Sequence, residues 1–118
     1  MKFNNSVPIY VQVIDKFKAD IISGRIKLGE KMPSTRDLAK ELGINPNTAT
    51  RIYKEMELQG LCYKKRGLGT FITESAEKAS NIKVEMANKL TDNFVNGMIK
   101  LGFSYEDMAN LVLKKCER

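Results

Sequence analysis

The feature that most constrains this chain is a two-residue connection. Gly43 and Ile44 alone separate the end of one short helical pattern from the cap of the next. The first pattern opens at Ser34, with Asp37 at capping-box spacing, and its buried face is Leu38, Ala39 and Leu42. The second opens at Asn45, a residue type suited to an N-cap, and Pro46 stands at the first helical position, where a missing N–H costs nothing. That helix should run to about Gln59 and stop at Gly60, with Ala49, Ile52, Tyr53 and Met56 facing inward. Two helices joined so tightly through a glycine cannot lie side by side in antiparallel fashion. They must cross steeply, as in a helix-turn-helix.

The flanking segments extend this unit. Residues 8–23 predict a first helix with Tyr10, Val13, Ile14, Phe17 and Ile21 as its apolar stripe and Gly24 as its stop. In the connector that follows, Ile26 and Leu28 are expected to form a short strand. After Gly60 the periodicity changes, and residues 61–65 and 70–73 predict two short strands. Arg66, Gly67, Leu68 and Gly69 make the turn between them, with the glycines supplying positive φ. A helix-turn-helix followed by a β-hairpin is a winged helix. The fold class is therefore mostly α with a small hairpin. The expected organisation is a winged helix-turn-helix over residues 1–73 and a helical dimerisation tail over residues 74–118.

The tail predicts a long helix over residues 75–101 and a second over residues 105–116, opened by another capping-box spacing at Ser104 and Asp107. Ile82, Met86, Leu90, Phe94 and Met98 recur every four residues, and Met108 and Val112 lie on the apolar side of the last helix. One amphipathic helix pair cannot bury such a stripe alone, so a second copy of the chain is the expected cover. Met86, Met98 and Met108 admit a second use, as an adaptable pocket for a small-molecule effector between subunits. Core and interface packing is the preferred account of them.

Charge separates the same two regions. Residues 1–73 hold 13 Lys/Arg against 7 Asp/Glu, and residues 74–118 hold 7 of each, so the whole excess of +6 lies in the first region. A basic domain with a neutral tail points to a polyanion for one and another task for the other. With no histidine and two cysteines, Cys62 and Cys116, His-based catalysis and most zinc sites are excluded. No GxxxxGK[ST] loop occurs and no cofactor is expected. The chain has no apolar run long enough for a membrane span and no signal-peptide h-region. The expected location is the cytoplasm, with both thiols reduced.

A helix end inserted in the major groove reads base edges. Here that end presents Asn45, Asn47, Thr48, Thr50 and Arg51. Asn pairs bidentately with adenine and Arg with guanine, and Thr offers a hydroxyl or methyl. Asn45 is first of all a cap. Lys54, one turn on, suits a phosphate. The hairpin carries Lys64, Lys65 and Arg66 before Gly67, and residues 61–73 hold no acidic side chain, so its tip suits the minor groove. Arg36 is placed to clamp a phosphate or reach a base, with Ser34 and Thr35 as cap or phosphate neighbours. A competing account makes the winged helix a protein-docking scaffold, which would not need these cations.

Pro8-Ile9-Tyr10-Val11-Gln12, Ser23-Gly24, the run from Leu28 to Ala39, Asn45-Pro46-Asn47-Thr48, Tyr53-Lys54-Glu55-Met56-Glu57, Gly60 and the run from Arg66 to Ile72 together resemble the GntR family of bacterial regulators. The resemblance implies a homodimeric winged helix-turn-helix on palindromic double-stranded DNA operators, usually a repressor. It implies DNA contacts at Arg36, at Asn47, Thr48 and Thr50, and at Arg66 and Gly67. Some relatives carry Arg where Pro46 and Thr50 stand here, which leaves the base preference open. Only about 45 residues follow the wing. That resembles the short YtrA subfamily, whose C-terminal helices mainly dimerise.

Overall fold

A computed structural model describes residues 2–117. It contains α1 (Ile9–Ser23), α2 (Thr35–Leu42), α3 (Pro46–Leu58), β1 (Cys62–Lys65), β2 (Gly69–Ile72), α4 (Ala76–Lys100) and α5 (Tyr105–Cys116). The architecture is mostly helical with one antiparallel hairpin, as the sequence predicts. The described residues divide into two compact units, the first ending at Lys83 and the second beginning at Val84. The division thus falls inside α4, ten residues beyond the boundary expected at Thr73. No helix among the described residues is long and apolar enough to cross a membrane.

The first unit is closed by α1, α2, α3 and the hairpin. Leu38, Ile52, Met56, Leu61, Ile72 and Val13 are its largest fully buried side chains. Each contributes roughly 1.5–3 kcal/mol by leaving water. The stops are local. Gly43 takes φ 65° after α2, and the Ile44 N–H reaches back to the Ala39 carbonyl at 3.0 Å. At the end of α3 the Gly60 and Leu61 N–H groups donate to the Glu57 and Met56 carbonyls, closing a Schellman turn. The buried Tyr53 hydroxyl donates to the Pro33 carbonyl at 2.6 Å, which ties α3 to the entry of α2.

The connector departs from expectation. Residues 26–28 form no strand. The Ile26 N–H returns to the Asp20 carbonyl at the end of α1, and the Glu30 N–H donates to the Lys27 carbonyl with Gly29 at φ 79°, so Leu28 sits in a turn. The pairing falls a few residues later, where Lys31 bridges Phe71 and the Met32 N–H donates to the Thr70 carbonyl at 2.8 Å. Pro33, with no N–H to give, ends it.

In the second unit, Gly102 at φ 89° reverses the chain, with the Gly102 and Phe103 N–H groups donating to the Ile99 and Met98 carbonyls. The Ser104 hydroxyl and the Asp107 carboxylate cap each other's backbone N–H reciprocally. Of the predicted pairing stripe, two members are buried within the chain itself. Ile82 is 6% exposed and belongs to the first unit, and Met108 is 4% exposed. Neither is free surface. Met86 and Met98 are half-buried. Leu90, Phe94 and Val112 are open, at 68%, 40% and 46% exposure.

Candidate nucleic-acid interface

The first turn of α3 is built from backbone outward. The Asn45 carboxamide oxygen accepts from the Asn47 N–H at 2.7 Å, so Asn45 is a cap in fact. Thr50 donates its hydroxyl to the Pro46 carbonyl at 3.1 Å. Ala49, Ile52, Tyr53 and Met56 are buried. The opposite flank is solvent: Asn45, Asn47, Thr50, Arg51 and Lys54 are exposed and Thr48 is half-buried. None of these side chains is held in an ion pair among the described residues, where Lys16–Asp20 is the one such pair.

The entry of α2 lies beside the hairpin. Ser34 accepts from the Asp37 N–H at 3.1 Å, and the reciprocal half of the box is not formed. Ser34 and Thr35 share an open groove of about 470 Å³ with Lys31 and with residues 64–70, so the start of α2 and the hairpin tip belong to one surface. Arg36 is exposed one residue further on. The helix start contributes unpaired N–H groups and its positive dipole end to this cationic groove.

The hairpin places its cations by register. Tyr63 pairs with Phe71, Lys64 with Thr70 and Lys65 with Gly69, leaving residues 66–68 as the tip. Gly69 is thus a strand residue rather than part of the turn. Gly67 at φ 78° bends the tip without strain, and Arg66 and Gly67 are exposed. The Lys65 ammonium lies 4.7 Å from the Phe71 ring and 5.8 Å from the Tyr63 ring, a cation held over the stacked pair.

Two residues of this surface were not singled out by sequence reasoning. Lys31 enters the groove through its bridge to Phe71. Tyr10, expected in the apolar stripe of α1, is half-buried and carries the Arg51 guanidinium over its ring, 3.9 Å from the centroid. No local pattern could reveal a contact across forty residues. The sole hint was Tyr10's place in the run from Pro8 to Gln12.

The second unit offers a different surface. α4 and α5 enclose an open apolar groove of about 650 Å³ whose lining includes Leu90, Phe94, Val95, Tyr105, Met108 and Val112.

Comparison with known proteins agrees with this architecture. The family profile described as bacterial regulatory proteins, gntR family, matches residues 9–72, more than half the chain. The uncharacterized HTH-type transcriptional regulator YhcF of Bacillus subtilis is 37% identical over 107 residues, covering 91% of this chain and 88% of its own. The HTH-type transcriptional repressor YtrA of the same organism is 37% identical over 100 residues, covering 80% and 77%. A solved GntR family transcriptional regulator from Listeria monocytogenes superposes with a TM-score of 0.88 at 36% identity, over 98% of this chain and all of that one. The short tail is therefore shared along with the winged helix. The chain belongs to the GntR family of DNA-binding bacterial transcriptional regulators and is similar to its short, YtrA-like members.

Proposed function

We propose that this regulator acts as a homodimeric repressor in the cytoplasm, binding a two-fold symmetric operator with α3 in the major groove and the hairpin tip in the minor groove. One observation carries the reading: within a single closed unit, the solvent flank of α3 is uncovered and free of ion pairs, and the same unit presents a cationic groove shared by the start of α2 and the hairpin. Asn47, Thr48 and Thr50 would face base edges. Lys54, Ser34, Thr35 and Arg36 would engage phosphates, as would the N-terminus of α3 that Asn45 caps. Arg66, with Gly67 allowing close approach, would probe the minor groove, and Lys65, held over its aromatic pair, would add charge beside it. The repressor sense is supported by the relative named as a repressor.

Pairing would run through the open apolar groove of the second unit, with Leu90, Phe94 and Val112, which line it, as contacts, and with the half-buried Met86 and Met98, outside its lining, as further contacts. A symmetric pair sets two recognition helices about one DNA turn apart. The groove would also admit a small apolar effector, a use the proposal does not require.

Selection of bound duplexes from a random pool tests the whole reading. The expected consensus is two-fold symmetric, with half-sites about 10 base pairs apart centre to centre. An asymmetric consensus would refute the dimeric operator. On the selected duplex, Arg66→Ala should weaken binding about 5–10-fold with an unchanged melting temperature, because the side chain is exposed and packs against nothing in the core. Unchanged affinity would remove the hairpin tip from the interface.

A further inference from the structure

We propose that Tyr10 is a positioning residue, which holds Arg51 off the base-reading flank of α3 as a clamp for a DNA phosphate. The inference rests on the DNA-binding reading above and goes on to assign a pair of residues to one chemical task.

Arg51 is the one arginine of α3, and the sequence alone would give it a guanine. The geometry assigns it elsewhere. Its guanidinium carbon lies over the Tyr10 ring, 3.9 Å from the centroid, which draws it toward α1, the helix packed against α3. Asn47, Thr50 and Lys54 remain on the flank without it. No carboxylate among the described residues pairs with Arg51, so its N–H donors are not committed to a carboxylate while the ring holds the group. A guanidinium held on a ring with its donors uncommitted suits an anion, and a phosphate at the border of the groove is such an anion. Stacking also removes rotamer freedom from a long side chain before binding, so less is lost when the phosphate arrives.

Tyr10 itself is fixed from behind. It stands in the first turn of α1, a turn that opens at Pro8 with no side-chain cap. The Gln12 side chain instead ties the preceding segment to the helix. Its amide donates to the Asn4 and Val7 carbonyls at 2.7 and 2.8 Å and accepts from the Asn4 N–H at 2.8 Å. The Asn4 side chain in turn accepts from the Ser6 N–H and hydroxyl. Three hydrogen bonds thus tie residues 4 and 7 to the turn that carries the ring, and two more fold residues 4–6 on themselves. A helix end free to fray could not serve as a platform.

The test uses the full-length chain and the duplex recovered by selection, with affinity measured against salt concentration. Arg51→Ala should weaken binding about tenfold, equally on operator variants, and lower the magnitude of the log–log salt slope by about one. Tyr10→Leu should weaken binding several-fold with part of that slope change, whereas Tyr10→Phe keeps the ring and should bind as wild type. The double variant Tyr10→Leu/Arg51→Ala should be no weaker than Arg51→Ala alone. Arg51→Lys keeps the charge but not the plane and should still lose several-fold.

Additive losses, an unchanged salt slope in Tyr10→Leu, or wild-type affinity in Arg51→Lys would each overturn the assignment. A loss confined to operators with one particular base would make Arg51 a base reader and also overturn it. If the wild type shows no salt-dependent binding to any duplex, the DNA reading fails and this inference with it. If the wild type and Arg66→Ala behave as proposed while Tyr10→Leu binds normally, the inference alone fails.

Discussion

The two units of the chain dispose of their apolar residues in opposite ways. The first buries most of its large ones: Ala49, Ile52, Met56 and Ile72 are fully enclosed, and the apolar side chains it leaves exposed, such as Leu28, Leu58 and Leu68, are scattered along the chain. The second wears them outside: among its described residues Met108 is the one buried apolar side chain, and Leu90, Phe94, Ile99, Leu101, Tyr105, Val112 and Leu113 are exposed. Exposed apolar surface joined in one groove marks a place for a partner. The lesson is a division of labour in free energy. The first unit has its stability inside itself, which leaves its surface free for the recognition proposed above. The second gains most of its burial only when something covers it.

Phe94→Asp is the strongest way to break that comparison. A carboxylate in the groove proposed for pairing should leave a monomer by light scattering. It should lower operator affinity about a thousandfold, ~4 kcal/mol, since one half-site would bind alone. The first unit should keep its fold, because Phe94 lies outside it. A dimer persisting in the variant would show that the groove is not the interface.

Ile52→Ala is the converse. Ile52 is fully buried in the first unit, and its truncation should cost about 3 kcal/mol in urea unfolding while light scattering still reports the native assembly. A loss below about 1 kcal/mol would mean that the first core is looser than its burial implies.

How the sequence announces the two units follows the same contrast. Where a signal is local, it is legible. Asn45 and Pro46 gave the start of α3, Gly43 and Gly60 the stops, and Ser104 with Asp107 the reciprocal cap of α5. The exposed polar flank of α3 follows directly from its buried period, and the cations of the hairpin from their run in the chain. What needed tertiary structure was illegible. The bridge at Lys31 was anticipated too early, at Ile26 and Leu28, because apolar alternation says strand while the positive φ of Gly29 says turn. The helical period along α4 is continuous, so nothing in it reveals that Ile82 serves one core while Leu90 and Phe94 face solvent. The Tyr10–Arg51 contact joins separate helices and has no local signature.

The gentlest probe of the contrast is chemical, because the chain carries one free thiol in each unit, Cys62 buried and Cys116 exposed. Burial, aided by the nearby Glu57 carboxylate, pushes the Cys62 thiol up to about 11 from an ordinary 9.0. Its S–H points to the Tyr53 carbonyl at 3.7 Å. The thiolate is the nucleophile, so an alkylating reagent at pH 8 should modify Cys116 and leave Cys62 untouched until urea opens the first unit. A raised value in the folded state means that the native chain holds this proton more tightly than the unfolded one. The stability it lends is then complete below pH 9 and drains away as pH climbs through about 11. The buried Tyr53 phenol, also pushed upward by its enclosure, adds a loss of the same sign at still higher pH. Urea midpoints at pH 8 and pH 10.5 should therefore fall on the alkaline side, and Cys62→Ala should shrink the fall. Alkylation of both thiols at equal rates in the native protein would show that the first unit opens as readily as the second, and the contrast between a closed core and an open one would not stand.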